Sequence, residues 1–131
     1  MTKIIDGKGA ILGRLASFAA KTALKGEEVV VLNCKEIIIS GNKKYFQQKQ
    51  LDMKKKIGSG QKGPKISKLP HIIVKRAIRG MLPSHKQGRG RGAFKRILCY
   101  SGVPKEFEDK EKIVSGKHFK GKHIKVEEVS K

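Results

Sequence analysis

Between Lys3 and Asn33 the chain reads strand, glycine turn, amphipathic helix, strand, and no other feature restricts its fold as much. "KIID" (3–6) is a short strand. From Ile11 the apolar residues Leu12, Leu15, Phe18, Ala19 and Ala23 fall at helical spacing, and Gly26 follows as a C-terminal stop. "EVVVLN" (28–33) is then a buried strand. Such a unit normally gives parallel neighbours joined by a right-handed crossover, which puts the chain in the α/β class. Its 131 residues fit one domain, and with 37% hydrophobic content, 5% aromatic content and no Trp, aliphatic side chains must build the core.

The rest of the chain is less regular. "EIIISGN" (36–42) follows β-like "EVVVLN" too closely for a parallel crossover, so it either turns back against that strand or continues it across a bend. Asn42 can cap a weakly apolar helix running through Tyr45, Phe46 and Met53. Residues 54–70, with "GSGQKGPKISKLP" at their centre, read as an exposed basic loop. A helix starts at Pro70, with Ile73, Val74, Ala77, Ile78 and Met81 on one side and Lys75, Arg76 and Arg79 on the other, and ends at Leu82-Pro83. "SHKQGRGRG" (84–92) reads as a second basic loop, and "AFKRILCYSG" as a helical turn leading into the last strand of the sheet. This divides the chain into an α/β domain over residues 1–105 and a C-terminal extension over 106–131. Acidic residues return in "KEFEDKEK", and the closing stretch "SGKHFKGKHIKVEEVSK" (115–131) has mixed charge and few apolar anchors, and is expected to pack on the surface or stay mobile.

Several chemistries fail on spacing. Gly13-Arg14 sits where a P-loop has Gly-Lys, but Lys8 occupies the place of its first Gly, and Leu15 offers no hydroxyl for magnesium. As a dinucleotide fingerprint, Gly7-x-Gly9 is followed by its third glycine one place late, and Asn33 stands where a ribose-binding acid is expected. A small nucleotide-dependent enzyme using the Gly7–Gly13 turn is thus the weaker alternative. The glycines are better read as scaffold, with Gly7 and Gly9 relieving strain in the turn and Gly13 allowing close helix-to-sheet packing. Asp6 then caps the turn. His71, His85, His118 and His123 lie in or beside basic segments and suit phosphate contact or surface positions better than catalysis. Cys34 and Cys99 have no CxxC partner or nearby His, and read as two small buried hydrophobes in a reducing compartment. No metal site or cofactor is expected. Without a secretory-signal pattern or an apolar run near the ~20 residues of a membrane span, the chain reads as intracellular and soluble.

Charge decides what the domain meets. There are 31 Lys+Arg against 11 Asp+Glu, a formal net charge of +20. Between Asp52 and Glu106 there is no acidic residue at all, while Lys54, Lys55, Lys56, Lys62, Lys65, Lys68, Lys75, Arg76, Arg79, Lys86, Arg89, Arg91, Lys95, Arg96 and Lys105 fall within that interval. A solvated face would mix the two signs. A zone of one sign suits phosphates, whose neutralisation releases counterions and makes affinity steeply salt-dependent. Alternating Gly88, Arg89, Gly90, Arg91 and Gly92 would let backbone approach a sugar-phosphate chain while guanidinium groups fork onto its oxygens. Arg76 and Arg79 differ in kind, being fixed by a packed helix. Arg14 shares a helical face with Lys21 and Lys25. With no zinc finger, basic zipper or helix-turn-helix pattern and no aromatic RNP pair, backbone and shape recognition of folded RNA is the expected mode. Tyr45, Phe46, Phe94 and Tyr100 are accordingly expected in or near the core.

Three stretches, "IIDGKGAILGRLAS", "VVVLNCKEIIISGNK" and above all "AIRGMLPSHKQGRGRGAFKRILCYSGVP" (77–104), resemble the universal large-subunit ribosomal protein thirteen family, over about residues 3 to 105. The short link between "VVVLN" and the second helix, without the long insertion after the first helix typical of bacterial members, is similar to archaeal and eukaryotic members. The resemblance implies a single three-layer α/β/α domain on a small, mainly parallel four-stranded sheet. It also implies a non-catalytic constituent of the large ribosomal subunit in the cytoplasm, partnered by ribosomal RNA and neighbouring ribosomal proteins, with no small-molecule substrate and no membrane. The family's RNA contacts carry over to Arg79, Lys86, Arg89, Arg91, Lys95 and Arg96, then to Arg14, Lys43 and Lys44. Residues 54–70 match only as a basic Gly/Pro loop, and the tail after Glu106 matches nothing in the family pattern.

Overall fold

The computed structural model describes residues 2–55, 69–84, 86–114 and 121–129. Strand β1 (Thr2–Asp6), helix α1 (Leu12–Leu24) and strand β2 (Glu28–Leu32) form the expected unit, with β1 and β2 parallel in the register Thr2↔Glu28 to Asp6↔Leu32. Helix α1 buries Ala16, Ala19, Ala20 and Ala23, strong helix formers small enough to let the helix lie close to its neighbours. It stops before Gly26, whose φ of +97° suits a residue without a Cβ.

Strand β2 is central in a parallel sheet of order β4-β2-β1-β5, where β4 is Ile97–Cys99 and β5 is Ile113–Val114. Because strand side chains alternate, Ile5, Val29, Val31 and Ile97 face one way. They meet α1 together with helices α3 (Pro70–Gly80) and α4 (Gly88–Lys95), which contribute Val74, Ile78 and Ala93. Ile4, Val30 and Leu32 face the other way, under Tyr100, Val103 and Phe107. Burying both faces of β2 removes Val29, Val30, Val31 and Leu32 from water, worth roughly 1.5–3 kcal/mol per side chain before ordering costs. Helix α2 (Lys43–Lys55) starts at Asn42, whose Oδ1 accepts the Lys44 N–H at 3.1 Å, as the sequence suggests. Helix α3 has Pro at its start, where no donor is lost and φ is preset.

Elsewhere the expectations need correction. The run "EIIISGN" neither turns back on β2 nor continues it. Asn33 adopts φ +55°, a 3-10 turn (Cys34–Glu36) follows, and β3 (Ile38–Ser40) leaves the main sheet to pair antiparallel with β6 (His123–Lys125). The "GRGRG" segment is not a loop but the body of α4. A Cβ at Gly90 would overlap the carbonyls of Pro83 and Ser84, so glycine here serves close packing rather than flexibility. Strand β4 is not the last of the sheet, because β5 pairs with β1. The closing stretch is anchored in the core rather than loose: Ile124 and Val126 are buried, and the Val126 N–H donates to Ile37 O at 2.9 Å, while Phe107 before it is buried too. A Cβ at Gly13 would meet nothing within 4 Å, so close packing does not require this glycine, and Phe18, Met81 and Tyr45 are exposed rather than in the core.

Two glycines of α4 separate packing from propensity. Gly90→Ala should destabilise the protein by about 1–3 kcal/mol, because the overlap with two backbone carbonyls outweighs the gain in helix propensity. Gly92→Ala, whose Cβ would meet only Arg96 Nη2 at 3.8 Å, should stabilise by about 0.5–1 kcal/mol. Urea denaturation of the two variants checks both signs. Val126→Ala should cost ~2 kcal/mol in the same assay, and an unchanged midpoint would mean that the C-terminal segment does not belong to the core.

Candidate nucleic-acid interface

Chain direction places the basic residues at two ends of one helix. Because β1 and β2 are parallel, α1 must run back between them, from the C-terminal ends of the strands to their N-terminal ends. Its 13 residues separate the two ends by about 20 Å. At the far end α1 meets the start of β2 and the α4–β4 junction. There the Val29 N–H donates to Arg96 O at 3.0 Å, and Arg96 Nη1 donates to Ala23 O at 3.1 Å in the last turn of α1.

Arg79, in the last turn of α3, lies toward this far end with Lys86 and with Arg89, Arg91, Lys95 and Arg96 of α4 and its cap. Lys21 and Lys25 reach it from α1. Lys86, Arg89, Arg91 and Lys95 are exposed, and Arg79 is half-buried. The carboxylates at the same end are engaged: Glu27 pairs with Lys3 at 3.2 Å, and Glu28 accepts the Thr2 hydroxyl at 3.1 Å. Arg89 and Arg91 are thus held in the first turn of a helix rather than on a loop, with their side chains exposed. Arg96 is different, because its guanidinium also donates to Ala23 O, a carbonyl in the last turn of α1 that accepts the Gly26 N–H as well.

Arg14 stands at the opposite end of α1, and Lys43 and Lys44 open α2 beyond β3, whose Ile38 N–H donates to Ala10 O at 2.8 Å. All three side chains are exposed. The structure therefore does not bring Arg14, Lys43 and Lys44 together with the signature residues. Lys75 and Arg76 lie between, on α3. Lys75 is half-buried with Nζ 4.8 Å from the centre of the Phe94 ring, a cation–π contact that ties α3 to α4, while Arg76 is exposed. Lys55 is exposed at the end of α2. Lys56, Lys62, Lys65 and Lys68 lie outside the described residues, as does the Lys54 side chain.

The glycine turn is closed to a ligand phosphate. The N–H groups of Gly7, Lys8, Gly9 and Ala10 donate in order to Leu32 O, Asp6 Oδ1, Glu36 O and Gly7 O, at 2.9–3.3 Å. Asp6 caps the turn as expected and also accepts from Asn33 Nδ2 at 2.9 Å. A Cβ at Gly7 would stand 2.7 Å from Leu32 O and 2.8 Å from Ile37 Cγ1, whereas Gly9 is required for its φ of +72°. A P-loop uses free N–H groups to cradle phosphate; here they hold the ends of β1, β2 and the 3-10 turn together. Among the described residues no group of three or more His, Cys, Asp or Glu is placed to hold a metal ion, and no helix is long and apolar enough to cross a membrane. His71 is half-buried with Nδ1 3.3 Å from Ser101 Oγ; His85 and His118 lie outside the described residues.

Sequence reasoning missed one association: Cys34 and Cys99, far apart in the chain, sit in the same core cluster. Nothing in their local sequence signals this, since it follows from the pairing of β2 with β4.

Comparison with known proteins gives the same outline. A large ribosomal subunit protein uL13 from Methanocaldococcus jannaschii is 44% identical, over 98% of this chain and 94% of that protein. One from Methanococcus maripaludis is 48% identical over 77% of this chain and 75% of its own length, and one from Archaeoglobus fulgidus 44% identical over 82% and 68%. The family described as Ribosomal protein L13 matches residues 1–106, which contain β1 to β4, the closed glycine turn and both basic ends of α1, and the chain belongs to that family.

Proposed function

We propose that this protein is a structural, non-catalytic constituent of the large ribosomal subunit in the cytoplasm, binding large-subunit ribosomal RNA beside neighbouring ribosomal proteins. The observation that carries this reading is the exposed cluster of Lys86, Arg89, Arg91 and Lys95 around the end of α1, whose nearby carboxylates are already engaged. Residues 1–105 supply the RNA-binding unit, and the relatives are named as large-subunit proteins.

A rigid domain with cationic groups about 20 Å apart can hold two separate stretches of sugar-phosphate backbone at a set distance. Lys86, Arg89, Arg91, Lys95 and Arg79 neutralise phosphates at one end, and Arg14, Lys43 and Lys44 at the other. Lys54, Lys55, Lys56, Lys62, Lys65 and Lys68 add further phosphate contacts, while Lys75 and Arg76 supply positive potential between the two ends. Recognition is then of RNA shape rather than of base edges. No proton transfer or bond rearrangement is needed for this role.

Binding to folded large-subunit RNA should weaken by about three orders of magnitude or more between 50 and 200 mM monovalent salt, as expected for many phosphate contacts. A flat response in filter binding would exclude phosphate neutralisation as the source of affinity. Replacing Arg89 and Arg91 together by Ala should lower the affinity and reduce the salt slope by roughly one for each phosphate left without its cation, with the melting temperature unchanged. Arg96→Ala should differ, costing about 1 kcal/mol of stability because the side-chain bond that ties α4 to Ala23 O is lost, leaving that carbonyl only the Gly26 N–H. Equal melting temperatures for Arg96→Ala and the parent would show that this bond contributes nothing to the fold.

A further inference from the structure

The parallel pairing of β2 with β4 places Val31 beside Cys99. Beyond Val31 the chain turns at Asn33, and Cys34 N–H then donates to Tyr100 O at 3.1 Å, while the Cys34 thiol points to Val31 O at 3.8 Å. That same Val31 carbonyl accepts the Tyr100 N–H at 2.9 Å, so the Cys34 sulfur lies against the backbone that carries Cys99. Cys99 is two residues past Ile97 on β4 and shares its face, toward the cluster that holds Cys34. Both are free thiols; Cys34 is wholly buried and Cys99 only partly.

From this juxtaposition we infer that Cys99 and Cys34 are a peroxide-oxidisable dithiol, Cys99 reacting first and Cys34 resolving it to an intramolecular disulfide between β4 and the 3-10 turn after β2. The electrostatics divide the roles. The Cys99 pKa is lowered by the neighbouring Cys34 thiol, and the Lys75 ammonium acts in the same direction against the effect of burial. The Cys34 pKa is raised by the neighbouring Cys99 and by burial, and its thiol stays protonated. Thiolate character and partial exposure mark the reactive member of a pair.

The Cys99 thiolate attacks one oxygen of hydrogen peroxide, giving a Cys99 sulfenic acid and hydroxide as the O–O bond breaks. Cys34 sulfur then attacks the Cys99 sulfur. The S–S bond forms, the S–O bond breaks, and the sulfenic oxygen leaves as water with the Cys34 proton. The two electrons lost by the thiol pair reduce one peroxide. Closing this bridge would join the end of β4 to the 3-10 turn after β2, beneath α3, and leave the exposed basic residues in place.

The test treats the purified full chain with hydrogen peroxide and reads intact mass and peptide maps. The expected product has lost two hydrogens, yields one peptide pair linked through Cys34 and Cys99, and returns to the starting mass with dithiothreitol. In Cys34→Ser, dimedone should label Cys99. Products carrying oxygen on either sulfur without a link, bridges only between two chains, or thiols that remain alkylatable after denaturation would each overturn the inference. The map of the unsubstituted chain decides the matter even where Cys34→Ser folds poorly.

Discussion

Everything in this domain depends on β2 being dry on both faces. Val29 and Val31 hold α1, α3 and α4 to one side of the sheet, and Val30 and Leu32 hold Phe107 and its neighbours to the other. A five-residue strand with four buried aliphatic side chains has no solvent face on which to place charge, so all of the +20 must sit on the surrounding elements. Pairing β2 with both β1 and β4 satisfies its backbone donors and acceptors inside the sheet. The end of this strand also organises the glycine turn, since Leu32 O accepts the Gly7 N–H and Asn33 donates to Asp6.

What could be read from the sequence was whatever the local pattern fully determines. β1, α1, β2, α2 and α3 announce themselves by periodicity and by stop and start residues such as Gly26, Asn42 and Pro70. Helix α4 did not, because its three glycines argue for a loop on propensity alone. The decisive fact, that Gly90 must pass against Pro83 and Ser84, is a tertiary contact. The pairing of β3 with β6 was hidden for a similar reason. Its partner lies far along the chain in a stretch whose buried side chains, Ile124 and Val126, are separated by polar residues.

For the candidate interface, composition showed that an acid-free zone exists but could not show that α1 divides its neighbours into two ends. Arg14 and Lys21 look alike as exposed cations on one helix, yet belong to opposite ends of the strands. Nor does a basic side chain's type reveal its duty. Lys75 lies over Phe94, and Arg96 donates to Ala23 O, so each has a structural contact as well as a charge. Such double roles appear only when a cation's partner is known.

The same charge that suits a polyanion burdens the free domain. Two like charges 4 Å apart repel by about 1 kcal/mol in water, and at 0.15 M salt the repulsion is largely screened beyond about 8 Å. Lys86, Arg89, Arg91 and Lys95 are spaced by loop and helix, so each pair costs little, but their sum opposes folding and no free carboxylate from Glu27 or Glu28 relieves it. Salt therefore acts in opposite directions on the two properties of this surface. It screens the repulsion and favours the folded free chain, while it competes with the domain for phosphates. A rigid aliphatic core is what reconciles them, because it keeps the cations in place and leaves their attraction available to a polyanion.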